Sequence, residues 1–191
     1  MTDLSLASDG TIYVLAKHPD MRLHAINPDG TLRWTKNLGL NYLPYQMCVG
    51  HDGTIFLRDP YDVLALTSEG TEKWRYHAGH KADPPFVNPV AVANDGTVYV
   101  GSSLKPDGSE ELSAQWLHAV DSQGKFKWSY HVTFPTDYIL GMASTVANDG
   151  SIILNSGHLF NLRPDGSVRW VLENWGFGGV YNYSPALGKG L

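Results

Sequence analysis

The stretch VANDGTVYV at residues 92–100 decides the fold, because the chain repeats it. LASDGTIYV stands at 6–14, VGHDGTIFL at 49–57 and TVANDGSII at 145–153. The pairs Asp9-Gly10, Asp52-Gly53, Asp95-Gly96 and Asp149-Gly150 follow one another at 43, 43 and 54 residues. A second landmark closes each period: LHAINPDGTLRW, VLALTSEGTEKW, WLHAVDSQGKFKW and LFNLRPDGSVRW, ending at Trp34, Trp74, Trp128 and Trp170. The insertion LKPDGSEELSAQ at 104–115 accounts for the long third period. Self-similarity near 43 residues marks a repeat architecture.

Each unit reads as four short strands. In the third unit PVAVA is an apolar run that NDG turns, TVYVGS is β-branched and aromatic, LHAVD follows a loop, and SQG turns into KFKWSYH. Asp-Gly between apolar runs signals a hairpin, with a type I′ turn as the expectation. In the fourth strand Leu32 and Trp34 are expected on one side and Arg33 on the other, with Lys73, Lys127 and Arg169 in the same place. Those four basic residues read as charges that keep an outer strand from pairing with another sheet. No stretch has sustained helical periodicity. The expectation is an all-β protein, a β-propeller of four-stranded antiparallel blades with four complete blades. A sandwich has no reason to repeat its turn and its tryptophan at a fixed period.

DGTVYV followed by LHAVDSQGKFKW resembles the repeat of the PQQ-like, quinoprotein-type β-propellers, over residues 4–191. In that family the tryptophan docks between blades. The resemblance implies one repeat domain over 1–191, with blades near 4–43, 44–86, 87–141 and 142–182 and the first strand of a fifth at 183–191. The family commonly has six to eight blades, which implies a half or partial ring. Three arrangements follow: a piece of a longer propeller, a half that pairs with a second copy, or four blades closing alone. An open arc would expose apolar faces larger than a soluble monomer ordinarily shows.

The chain of 191 residues carries 14 basic and 19 acidic side chains, a net charge of −5. That balance argues against nucleic acid and against adhesion to anionic membrane. Its single cysteine, Cys48, precludes an internal disulfide and reads as a small buried hydrophobe. MTDLSLASDG has neither a basic nor a long apolar segment, so no signal peptide is expected, and no apolar run is long enough for a membrane span. The compartment is unknown from the residues; the resemblance implies a periplasmic or extracellular one.

The loops between blades are the expected binding face. They carry Tyr42, Tyr45, Phe86, Tyr138, Trp175 and Tyr181 as candidate ligand-binding residues, with Phe134, Phe177 and Tyr183 beside them. Amphipathic rings suit sugars, peptides or flat ligands. HAGHKAD holds His77, His80 and Asp83, a weak candidate metal site because no helix fixes its geometry. His77, His131, Asn37 and Glu173 share one position in the repeat and read as a solvated strand end. Gly10, Gly53, Gly96 and Gly150, with Trp34, Trp74, Trp128 and Trp170, are assigned to structure. The Asp-Gly turns lack the several carboxylates of a calcium loop. No catalytic group is singled out, and no cofactor is expected. The expected function is a non-catalytic ligand- or protein-binding scaffold. A glycan-binding propeller and a fragment of a PQQ-dependent dehydrogenase are the alternatives.

Overall fold

The structure, a computed structural model, describes residues 3–16, 21–40, 46–59, 61–79, 90–102, 104–105, 107–109, 115–132, 143–156 and 158–173. Sixteen strands fall into four four-stranded antiparallel sheets, each a meander in chain order. The first sheet holds β1 (Asp3–Leu6), β2 (Ile12–Ala16), β3 (Arg22–Ile26) and β4 (Leu32–Asn37). The second holds β5 (Gln46–Val49), β6 (Ile55–Arg58), β7 (Asp62–Leu66) and β8 (Glu72–His77). The third holds β9 (Ala91–Val92), β10 (Val98–Ser102), β11 (Gln115–Val120) and β12 (Phe126–Val132). The fourth holds β13 (Ala143–Val146), β14 (Ile152–Ser156), β15 (His158–Leu162) and β16 (Val168–Leu172). No helix occurs among the described residues. The strand expected over 183–191 lies outside them. The chain divides into two compact units, Met1–His77 and Ala78–Leu191, each with two sheets.

The turns differ from the expected type I′. Gly10 N–H donates to Ala7 O at 3.0 Å, and Ala7 N–H to Thr11 O at 2.9 Å. That pattern closes a three-residue loop, Ser8-Asp9-Gly10, in which Gly10 takes the left-handed backbone at φ 84°. The same pattern recurs at Gly53, Gly96 and Gly150, and again between the third and fourth strands at Gly30, Gly70, Gly124 and Gly166. The extra loop residue lets Asp9 Oδ1 accept Thr11 N–H at 2.9 Å, as Asp95 does for Thr97 at 2.9 Å. Asp at this place therefore fastens its own turn.

The fourth strand also departs from simple alternation. Ala25 pairs with Trp34 and Ile26 with Leu32, so Arg33 is an extra, bulged residue. Lys73, Lys127 and Arg169 are skipped in the same way. A bulge reverses the inside–outside sense of what precedes it. Leu32 and Trp34 therefore lie on opposite faces, not on one. The four basic side chains do not stand alone on an edge either. Each reaches the Asp-Gly turn of its own sheet: Arg33 to Thr11 Oγ1 at 3.4 Å, Lys73 to Thr54 Oγ1 at 2.8 Å, Lys127 to Thr97 Oγ1 at 3.1 Å, and Arg169 to Asp149 Oδ2 at 2.9 Å.

Within each unit the core lies between its two sheets. In the first, Tyr13, Leu15, Leu23 and Ala25 pack with Met47, Ile55, Leu57, Leu64 and Leu66. In the second, Tyr99, Leu117 and Ala119 pack with Ile152, Leu154, Phe160 and Leu162. Each leucine or isoleucine so buried contributes roughly 1.5–3 kcal/mol. A tryptophan seals each core. Trp34 Nε1–H donates to Ser68 O at 3.1 Å, and Trp128 Nε1–H to Pro164 O at 2.9 Å, each on a turn of the adjoining sheet. The structural assignment of these two tryptophans thus acquires a specific contact.

Candidate functional site

A four-stranded meander puts the loops after its second and fourth strands at one end, and its two glycine turns at the other. The glycine-turn end is chemically committed. Hydrogen bonds from the Thr11 amide and hydroxyl, with the charge of Arg33, hold the Asp9 carboxyl below the usual range. At Asp52 partial desolvation works upward, but the Thr54 bonds and Lys73 outweigh it. Asp95 behaves alike with Thr97 and Lys127. The Ser151 hydroxyl and amide and then Arg169 depress Asp149 most strongly. Carboxylates held ionised in this way serve geometry, not proton donation.

The loop end is the candidate site. Tyr42, Tyr45, Phe86, Tyr138, Trp175 and Tyr181 lie outside the described residues, as do Phe134, Phe177, Tyr183, His80 and Asp83. The described strand ends beneath these loops are exposed at Asn37, His77, His131 and Glu173, as expected of a solvated position, and two of them also carry defined contacts. In the first unit Asp62 pairs in register with His77. His77 Nδ1 lies 2.8 Å from Asp62 Oδ1, and Arg75 donates to Asp62 Oδ2 at 3.2 Å. His77 is thereby engaged in a carboxylate–guanidinium cluster. Next to it Asp59 Oδ1 accepts the amides of Tyr61 and Asp62 at 2.8 and 2.7 Å. The buried Arg58 guanidinium donates to Asp59 O at 2.7 Å.

In the second unit Trp116 pairs with His131, and the two rings stack at 4.5 Å and 26°. The indole Nε1 of Trp116 is buried and has no hydrogen-bond partner among the described residues. The sequence reading passed over Trp116, although it precedes LHAVD where the other units have Arg22, Asp62 and His158. Two residues further along β11, His118 is buried and its Nε2 lies 2.9 Å from Leu104 O, on the insertion. Desolvation pushes this imidazole down to about 4, so it is neutral and its Nε2–H is the donor. Cys48 is half-buried on β5, and desolvation with the nearby Asp3 charge pushes its thiol up to about 12. Among the described residues no group of three His, Cys, Asp or Glu side chains is placed to hold a metal ion. The loop end of the first unit therefore offers paired charges, and that of the second unit stacked rings.

A family model of the PQQ type, described as outer membrane protein assembly factor BamB, matches residues 5–174. No curated protein sequence matches the chain. Among solved structures it is similar to virginiamycin B lyase from Staphylococcus aureus, with TM-score 0.62 and 14% identity over 89% of this chain and 54% of that one. It is also similar to BamB from Moraxella catarrhalis, with TM-score 0.54 and 14% identity over 90% and 50% of the two chains. The Neurospora crassa Pan2 WD40 domain gives 0.59 and 14% over 87% and 51%. At such identities the likeness shows the fold alone, a β-propeller built here from four blades. The chain spans about half the length of these solved propellers, between 50 and 54%. The family model covers most of the sequence, so the chain belongs to the PQQ-type repeat family described as outer membrane protein assembly factor BamB.

Proposed function

We propose that this chain is a protein-binding propeller, a scaffold that engages a polypeptide through the loop end of its blades and carries out no chemistry on it. One observation carries the reading: the match over residues 5–174 to a family described as an assembly factor. The side chains support it. The turn carboxylates are spent on their own backbone, and the loop end presents Asp62, Arg75 and His77 in one unit and Trp116 with His131 in the other. Paired charges and amphipathic rings suit peptide carbonyls, side chains and turns. The work would proceed without a cofactor. An extracytoplasmic compartment is in keeping with the family description.

A displayed random-peptide library run beside a glycan array tests this. The expected result is selection of a peptide class whose affinity falls about tenfold or more in Tyr138→Ala, Trp175→Ala or Arg75→Ala. Glycan binding without peptide selection would replace the proposal with a carbohydrate-recognising one. Addition of the quinone with Ca²⁺ should leave the absorbance and the activity toward alcohols unchanged, and a gain of either would move the chain among the dehydrogenases.

A further inference from the structure

The two joints inside the units show how one sheet of this protein receives another. Trp34 donates to Ser68 O, and a Cβ on Gly70 would fall 3.0 Å from the indole. Trp128 donates to Pro164 O, and a Cβ on Gly166 would fall 2.8 Å from that ring. An indole with its N–H, and a turn whose glycine leaves room for it, are the two halves of the joint.

Both halves recur, unmated among the described residues, on the first and fourth sheets. The fourth sheet carries Trp170 in register with Asn161, as Trp34 is with Ala25 and Trp128 with Ala119. Trp170 is 40% exposed and Leu172 on the same strand 43%. The first sheet carries the receiving turn Pro28-Asp29-Gly30, closed by Gly30 N–H to Asn27 O at 2.9 Å as its counterparts are. At Gly30 the space where a Cβ would sit is open, with nothing within 4 Å among the described residues. Leu4 and Leu6 on that sheet are 69% and 66% exposed, whereas Met47, which stands in the second sheet where Leu4 stands in the first, is 5% exposed.

We propose that the fourth sheet docks on the first sheet of a second copy of this chain, Trp170 laying its indole on Gly30 and donating Nε1–H to Pro28 O. Two copies joined head to tail in this way close a pair with eight sheets and two identical joints. Each joint brings together two unlike surfaces, and the twofold that relates the two joints makes each copy use both its first and its fourth sheet.

Light scattering after size exclusion, across a concentration range, tests the pairing. The wild type is expected to give twice the monomer mass. Trp170→Ala removes the donor half. Gly30→Asn fills the receiving notch with a residue that tolerates the left-handed backbone. Each is expected to weaken the dimer about 1,000-fold, because one interface hot spot of about 30-fold is lost at each of its two joints. Far-UV circular dichroism and urea midpoints near wild type would show that the blades still fold. A mixture of the two variants decides the geometry. Each variant homodimer has two damaged joints, but the mixed pair has one intact joint, so mixing is expected to restore dimers. A wild type that stays monomeric throughout would overturn the proposal, by showing that four blades suffice or that other polypeptide covers these faces. So would a dimer indifferent to both variants, a mixture without restoration, or assemblies larger than two.

Discussion

Replacing one glycine by alanine at three equivalent turns separates the strain of a backbone from the fit of a docked ring. Gly30, Gly70 and Gly166 have φ of 84°, 74° and 86°, and each ends a three-residue loop with the same hydrogen bonds. The alanine variant at any of them bears a left-handed residue, a cost of about 1–2 kcal/mol. The space differs. At Gly30 the new methyl meets nothing within 4 Å, at Gly70 it comes within 3.0 Å of the Trp34 ring, and at Gly166 within 2.8 Å of two Trp128 ring atoms. A methyl forced against an indole adds about 1–3 kcal/mol. Displacing the ring also puts the Trp128–Pro164 hydrogen bond at risk, about another 1 kcal/mol. The expected order is Gly30→Ala at about 1–2, Gly70→Ala at about 2–5 and Gly166→Ala at about 3–6 kcal/mol. Urea unfolding, followed at protein concentrations where the chain is monomeric, measures all three. Gly30 and Gly70 belong to one unit, which makes their comparison the cleaner one. Equal losses at these two positions would refute the docking of Trp34 on the Ser68–Gly70 turn.

Three further outcomes follow from the charges. His118 is neutral in the folded protein near pH 6, whereas the unfolded chain takes up a proton there, so its contribution to stability is lost as pH falls from about 6.5 toward about 4. Between pH 7 and 5 that loss is about 2 kcal/mol, and His118→Gln, which keeps a donor for Leu104 O, should remove that part of the pH slope in urea titrations. Asp52→Ala takes away the acceptor of two bonds, from the Thr54 amide at 3.0 Å and hydroxyl at 2.8 Å, and should cost about 1–2 kcal/mol at pH 7. The depressed turn carboxylates contribute stability that is present above about pH 4 and lost as pH falls below it, so the cost of Asp52→Ala should shrink in acid. Cys48 should resist iodoacetamide at pH 8 in the native protein and react readily in urea, as mass spectrometry can count; rapid native labelling would contradict its raised thiol.

Much of the fold was legible because the repeat is a pattern of local chemistry. Glycine marks each turn by the left-handed backbone it permits, and alternating apolar residues mark each strand. The bulge was not legible. Nothing in LRW, EKW, FKW or VRW says that the middle residue is extra, since the strand reads as regular until its partner is known. Register is a property of two strands, and one inserted residue reverses every inference about faces. The same limit hid the role of Arg33, Lys73, Lys127 and Arg169, which depends on turns about 20–30 residues away in the chain. At the candidate site, the pairing of Asp62 with His77 and the stacking of Trp116 on His131 come from cross-strand neighbours that spacing alone does not reveal. The aromatic loop residues carry a compositional signal only, because loop positions have no period to read.

The measurement that bears most directly on the account is the ¹⁹F spectrum of the protein labelled with 5-fluorotryptophan, with resonances assigned by single Trp→Phe variants and a soluble paramagnetic probe added. The account holds that Trp34 and Trp128 are sealed on the turns of the adjoining sheets, while Trp170 stands ready at an outer face. In dilute solution Trp34 and Trp128 should be protected and Trp170 broadened, with protection of Trp170 gained as concentration rises. Equal broadening of all three at every concentration would contradict the tryptophan joints and the pairing proposed from them.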